Sequence, residues 1–332
     1  MNASLAGGDP DDGAARTTVL PLVVGVDGSA PSLRAVDWAA DEAVLRRLPL
    51  RLVYAPLWER YEGAQLAGEP SSPDAEELVE LIVRAAARRA RHRQADLSIS
   101  TATLPESPEY ALVSESENAS ALVVGSRGRG NVPDILLGSV SLWVAAHADC
   151  PVIVVRGSHD EQARVPVHGR VVVGVGGAAA SAAVEFAADE AGRRGAVLEA
   201  VRAWRRPAHE TIDHALITRV SAHGYEPQHG YEQQAAEALE AALLDIPADV
   251  KVQRRLVEGP ARRVLLDAAC EADLLVVGAC RRAGHFGLQL GRVAHTVLHH
   301  SPCPVAVVPV VVADDGHGPA SMKRERHGAR GG

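Results

Sequence analysis

The chain has 332 residues, 47% apolar and 23% charged, which excludes wholesale disorder and, at about 150 residues per domain, predicts two domains. A net charge of −8 argues against a bulk nucleic-acid binder, a class that is usually basic. Only two lysines, Lys251 and Lys323, stand among 34 basic residues, so chemistry that needs a lysine beside a glycine loop has little to draw on.

In chain order, residues 1–18 are rich in Gly, Asp and Ala and predict a mobile tail, without the basic and apolar regions of a secretory signal. A Val-rich run at 20–26 predicts a buried strand. Residues 29–47 have helical spacing, with Ser29 as N-cap and Pro31 in the first turn. Strand 50–55, helix 74–94, strand 97–103, helix 106–117, strand 121–125, helix 139–148 and strand 151–155 follow. Next comes a polar connector at 157–168. Further strands are expected near 170–175, 197–203, 250–256, 273–278 and 303–309, with helices between them and a polar tail at 313–332. The longest strongly apolar stretch, 305–313, is far short of the roughly 20 residues of a membrane span, so no membrane attachment is expected. Cys150, Cys270, Cys280 and Cys303 form no CxxC pair, which suits a reduced, cytoplasmic protein.

The chain repeats itself. Val23-Val24-Gly25-Val26-Asp27-Gly28-Ser29 is answered by Val172-Val173-Gly174-Val175-Gly176-Gly177-Ala178. Trp38-Ala39-Ala40-Asp41-Glu42-Ala43 is answered by Phe186-Ala187-Ala188-Asp189-Glu190-Ala191. Leu122-Val123-Val124-Gly125 recurs as Leu275-Val276-Val277-Gly278, and Cys150-Pro151-Val152 as Cys303-Pro304-Val305. The offset is 149 residues at the first block and 153 at the last two, which points to an insertion in the long loop near 204–228. Strands alternating with helices imply two parallel α/β units with helices on both faces, 19–156 and 169–312.

In such a sheet a ligand sits beyond the C-terminal strand ends. Two loops of the first unit should meet there: Asp27-Gly28-Ser29 after strand one, and Gly125-Ser126-Arg127-Gly128-Arg129-Gly130 after strand four. Glycines let backbone amides approach a phosphate, and Gly138-Ser139 opens a helix whose free amides favour an anion. Arg127 and Arg129 add positive charge or are simply solvated. Asp27 is placed to accept hydrogen bonds from a ribose or base or to lie near a metal; taken alone, it reads better as a turn residue.

The spacing Gly125-x2-Gly128-x9-Gly138-Ser139 resembles the ATP-binding signature of the universal stress protein family. The flanking blocks around Asp27, around Leu137-Gly138-Ser139-Val140-Ser141 and around Cys150-Pro151-Val152 are similar too, and all occur in order, twice. This resemblance implies two flavodoxin-like, adenine-nucleotide α-hydrolase-like domains, each a five-stranded parallel sheet in the order 3-2-1-4-5. It implies ATP as the ligand of the first unit, with Mg2+ as an optional companion. The contacts it implies are Asp27, Ala55, Gly125, Arg127, Gly128, Gly138, Ser139 and Val140. Ala55 stands where the family often has valine, which should loosen adenine packing. The implied role is a nucleotide-dependent stress-response sensor or adaptor, in which nucleotide orders the loop 126–137 and so alters binding of a protein partner. The two units are expected to pair through their last strands, and chains to form a homodimer or a higher homo-oligomer.

The second unit departs from the pattern. Gly278 and Gly291 remain, but Arg281 stands where Gly128 does, Arg292 where Ser139 does, and Gly176 replaces Asp27. If the Gly128 position needs a positive φ, an arginine there is strained, so no ordinary ATP binding is expected in this unit. A different anion site built from Arg281, Arg282 and Arg292 is the alternative to a degenerate unit kept for pairing. His295 and His299 lie one helical turn apart, a metal-ligand spacing, and His209, His214, His223 and His229 cluster near the long loop; solvated histidines explain both as well. There is no GxxxxGK[ST], no GxSxG and no paired base and nucleophile, so at most slow ATP hydrolysis is expected. A structural stress protein that binds no nucleotide is the remaining alternative.

Overall fold

The computed structural model describes residues 19–55, 73–128, 137–156, 168–177, 180–206, 227–282 and 290–312. The first unit contains β1 (Leu22–Gly25), α1 (Ala30–Arg46), β2 (Leu50–Tyr54), α2 (Pro73–Arg93), β3 (Ile99–Thr103), α3 (Pro108–Ser116), β4 (Ala121–Gly125), α4 (Ser139–His147) and β5 (Val152–Val155). The second contains β6 (Arg170–Gly174), α5 (Ala180–Arg194), β7 (Val197–Trp204), α6 (Pro227–Ala242), β8 (Val252–Glu258), α7 (Ala261–Ala269), β9 (Leu274–Arg282), α8 (Arg292–His300) and β10 (Val305–Val312).

Local chemistry explains the element boundaries. Ser29 caps α1, its Oγ accepting the Ser32 N–H at 3.3 Å, and Pro31 sits in the first turn, where its missing N–H costs nothing. The helix stops at Arg47, which turns left-handed (φ 56°) and returns its N–H to the last turn. Strands β1, β4 and β5 are runs of Val, Leu, Ile and Ala buried almost throughout, as strands covered on both faces must be.

The strand order is β3-β2-β1-β4-β5-β10-β9-β6-β7-β8 in one ten-stranded sheet. Each half therefore has the expected order 3-2-1-4-5, and every neighbouring pair is parallel except one. That exception joins the halves: β5 runs antiparallel to β10, with Val154 opposite Val305 and Val152 opposite Val307. An apolar edge strand from each unit thereby finds its hydrogen-bond partner in the other. Helices α1, α2, α5 and α6 cover one face of the sheet, burying Ala39, Ala86, Ala187 and Leu239 in a core continuous across both units. Helices α3, α4, α7 and α8 cover the other through Leu112, Val144, Leu265 and Val297.

One difference from the sequence expectation matters for function. Strands β9 and β10 do not stop near 278 and 309 but stay paired through Pro309↔Ala279, Val310↔Cys280, Val311↔Arg281 and Val312↔Arg282. The backbone of Arg281 and Arg282 is thus strand, where the first unit turns away into its glycine loop at the matching position.

The repeated Ala-Asp-Glu-Ala blocks meet at the junction. Glu42 on α1 and Glu190 on α5 are 2% and 0% exposed. Arg46 binds Glu42 at 2.6 Å and Glu190 at 3.1 Å, and Arg194 binds both carboxylates. Arg193 adds a bond to Glu190 at 3.0 Å, and the Arg46 guanidinium lies 5.1 Å from the centre of the Phe186 ring. Burial, the hydrogen bond with Glu190 and the charge of Glu190 push the Glu42 carboxyl up to about 7, against the pull of Arg194 and Arg46. Burial also pushes Glu190 up, but its hydrogen bond with Glu42 and the charges of Arg194 and Arg46 outweigh this and hold it below the ordinary range. The signs follow from linkage. A raised acid contributes stability that is complete below its unfolded value of 4.5 and is lost as pH rises to about 7. Glu190 contributes in the opposite sense, its share being lost as pH falls below 4.5. Melting temperature should therefore fall between pH 5 and 8, and Glu42→Gln, which stays neutral, should flatten that slope. An unchanged slope in the variant would assign it to other groups.

Candidate functional site

The first unit carries a cavity of about 560 Å3 at the C-terminal ends of β1, β2 and β4. All eight residues singled out from the sequence line it: Asp27, Ala55, Gly125, Arg127, Gly128, Gly138, Ser139 and Val140. Asp27 is the only carboxylate and Arg127 the only cation among the described lining residues.

The β1–α1 turn sets Asp27. Gly28 takes φ 81°, a conformation that favours glycine, and the Ser29 N–H then donates to Asp27 Oδ1 at 2.8 Å. Asp27 donates its own N–H to Ser32 Oγ at 3.4 Å. The turn role that the residue type suggests is therefore real, and it engages one carboxylate oxygen. The other, Oδ2, faces the second loop: a Cβ built on Gly128 would lie only 2.8 Å from it.

The second loop is closed at its base. Ser126 donates to the Val155 carbonyl at 3.1 Å, and its own carbonyl accepts the Gly138 N–H at 2.8 Å. Gly138 is the N-cap of α4, and Ser141 Oγ donates to the Gly125 carbonyl at 2.7 Å, fixing the start of that helix against the end of β4. Ser139 and Val140, whose amides precede the hydrogen-bonded ladder of α4, line the cavity. Arg129, Gly130 and most of the loop 126–137 lie outside the described residues.

The glycines of the motif differ in purpose. None of Gly125, Gly128 and Gly138 has a positive φ, so the strain argument for an arginine at the Gly128 position does not hold. Space is the reason instead. A Cβ on Gly125 would lie 2.7 Å from the backbone carbon of Pro31 and 2.8 Å from its oxygen, so Gly125 permits α1 to approach β4. Gly128 permits the loop to approach Asp27. Gly138 has room, with no atom closer than 3.6 Å to an added Cβ.

The opposite end of the cavity is apolar. Val53 and Ala55 from the end of β2 face Pro108 and Leu112 of α3. Val53, Pro108, Leu112 and Ser32 carry no mark of this site in the sequence, and Ser141 stands in a matched flanking block without a role of its own there. The helix spacing around Leu112 marks it as core, but only the fold brings it to this cavity.

The second unit has a different arrangement. Gly291 caps α8 much as Gly138 caps α4. Arg202 of β7 donates from Nη1 to the Val175 carbonyl at 3.0 Å and lies 3.5 Å from where a Gly176 Cβ would be. An arginine thus lies over the turn where the first unit has its aspartate. The proposed set Arg281, Arg282 and Arg292 is divided between strand β9 and the first turn of α8. His295 and His299 have ring centres 4.5 Å apart, yet no group of three or more His, Cys, Asp or Glu among the described residues could hold a metal ion. His209, His214 and His223 lie outside the described residues, and His229 falls in the first turn of α6. No helix among the described residues is long and apolar enough to cross a membrane.

Comparison with known proteins agrees with this architecture. The model of the universal stress protein family matches residues 20–156 and 168–309. A universal stress protein of Mycobacterium tuberculosis is 34% identical over 293 residues, covering 86% of this chain and 96% of the relative. Another, from Mycolicibacterium smegmatis, is 35% identical over 297 residues, again covering 86% and 96%. Among solved structures, a universal stress protein from Archaeoglobus fulgidus superposes with a TM-score of 0.58 at 20% identity, covering 87% of this chain and 98% of that one; at that identity the likeness is one of fold. With two matched segments spanning most of its length, the chain belongs to the universal stress protein family.

Proposed function

We propose that the first unit binds ATP and that the chain acts as a nucleotide-dependent sensor or adaptor in a stress response. The observation that carries this reading is the approach of Gly128 to Asp27: an acid and a glycine loop from different strands close on one cavity, with no room for a side chain between them. Val53, Ala55 and Leu112 offer the adenine an apolar slot, and Asp27 offers the ribose hydroxyls an acceptor. The first amides of α4, the Ser139 hydroxyl and Arg127 face the position of the phosphates. A magnesium ion would arrive with the triphosphate, with Asp27 as the carboxylate that lines the cavity.

The same reading takes 19–156 and 169–312 as the two domains, joined by 157–168 and flanked by the tails 1–18 and 313–332. It places the protein in the cytoplasm, as a homodimer or higher homo-oligomer with a separate protein partner. It treats the second unit as a partner in the fold rather than a second ATP site, because Arg202 lies over the turn that Asp27 occupies in the first.

Denaturing the purified protein and counting released nucleotide tests the proposal. About one adenine nucleotide per chain is expected, with affinity reduced on the order of tenfold or more in Asp27→Ala and Arg127→Gln, each of which removes one charge-assisted contact. No nucleotide, even after addition of ATP and magnesium, would overturn it. Phosphate release measured alongside separates binder from enzyme: turnover lost in Asp27→Ala would favour the slow ATPase.

A further inference from the structure

The end of β5 ties the phosphate loop of one unit to a helix of the other. Strands β4 and β5 are neighbours, with Gly125 opposite Val155, so Arg127 and Arg156 leave adjacent strand ends just beyond that pair. Ser126, between Gly125 and Arg127, is bonded to the Val155 carbonyl at 3.1 Å, which locks the two exits together. Arg156 then crosses to the second unit. Its Nε donates to the Ser301 carbonyl at 3.0 Å, and its Nη1 donates to the Leu298 carbonyl.

These two acceptors belong to the C-terminal turn of α8, where carbonyls have no partner inside the helix and the helix dipole is negative. One guanidinium therefore holds the end of a helix more than 140 residues away in sequence. Burial and the charge of Arg127 both act against the charged form of Arg156. Its charge reaches further, to His299 on the same turn of α8, whose Nε2 is buried without a hydrogen-bond partner among the described residues.

We propose that Arg156 couples the phosphate loop to the second unit: anionic phosphate beside Arg127 offsets the repulsion between the two arginines, tightens the hold of Arg156 on α8, and makes the C-terminal turn of α8 the output of nucleotide occupancy. This rests on the nucleotide reading of the first unit. It gives the second unit a function that needs no nucleotide of its own. Coupling is reciprocal, so whatever binds and orders the end of α8 also strengthens nucleotide binding in the first unit.

The residue acts on position rather than on the ligand, since Arg156 is not among the residues that line the cavity. The unit charge it senses lies in partly screened protein, where offsetting one neighbouring charge should slow amide exchange in the last turn of α8 by roughly tenfold. A purely structural arginine would hold α8 equally well with and without nucleotide.

The test is hydrogen exchange over residues 297–301 of the full chain, with and without ATP and magnesium, beside calorimetric titration of the same samples. The wild type should bind ATP and slow exchange at the end of α8. Arg156→Gln should still bind ATP but show no ATP-dependent change there. Arg156→Lys, which keeps the charge but lacks the planar fork that reaches both carbonyls, should recover only part of it. ATP binding with no change at α8 in the wild type, or an undiminished change in Arg156→Gln, would overturn the coupling and leave the nucleotide reading standing. Absence of ATP binding in the wild type would overturn both.

Discussion

Glu190→Ala is expected to lower stability by about 3–5 kcal/mol, the range for removing one partner from a buried ion pair. Glu190 is fully buried, accepts hydrogen bonds from Arg193 and Arg194 and is ion-paired with Arg46, so truncation leaves positive charge at the junction with Glu42 as its remaining buried acid. The loss should be larger than that of Glu190→Gln, which keeps the volume and an acceptor oxygen. The desolvation of four charged groups is itself costly, so converting Glu42, Arg46, Glu190 and Arg194 together to apolar residues of similar volume should recover most of the loss. Urea denaturation of the four proteins would check this. A Glu190→Ala variant within about 1 kcal/mol of wild type would mean that the cluster is solvated rather than dry.

The second large effect separates fold from binding within a single glycine motif. Gly125→Ala should cost about 2–4 kcal/mol, because its Cβ meets the Pro31 backbone at 2.7 and 2.8 Å and neither β4 nor α1 can yield without disturbing the core. Gly138→Ala should cost less, about 1 kcal/mol from the poorer N-cap, since the nearest atom lies 3.6 Å from the new Cβ. It should nevertheless weaken ATP binding on the order of tenfold or more, because the methyl stands where a phosphate would approach the first amides of α4. Thermal melts and nucleotide titrations on the two variants distinguish the cases. Gly138→Ala binding ATP as well as wild type would place the phosphates elsewhere.

Much of this was legible in the residues. The two copies of the Val-Val-Gly and Ala-Asp-Glu-Ala blocks announce two α/β units, and apolar runs such as 121–125 place strands to within a residue or two. The eight motif residues line one cavity, because glycine spacing and helix starts report the demands of a backbone that must bend at those points. What the spacing did not disclose was the reason for each glycine. The positive φ that would strain an arginine at the Gly128 position is absent, and the closeness of Asp27 Oδ2 to any side chain added there links residues about 100 positions apart.

The second unit shows the same limit. Gly278-Ala279-Cys280-Arg281 reads as a worn glycine loop when aligned with the first copy, yet its backbone continues as strand because β10 extends alongside it to Val312. Nothing local in those residues states that a partner strand is present. Arg202 over Val175, and Arg156 on the carbonyls of α8, are likewise contacts across the sheet order.

By itself, then, the sequence determined the repeat, the succession of strands and helices, and the position of the glycine-rich loop, since each depends on periodicity and backbone preference within a few residues. The tertiary structure alone decided the antiparallel sense and register in which β5 and β10 join the two sheets, that Glu42 and Glu190 meet in a buried four-charge cluster, and that Arg156 reaches the other unit. Those outcomes depend on which edge strand finds a partner and which charges are removed from water, and both are properties of the assembled sheet.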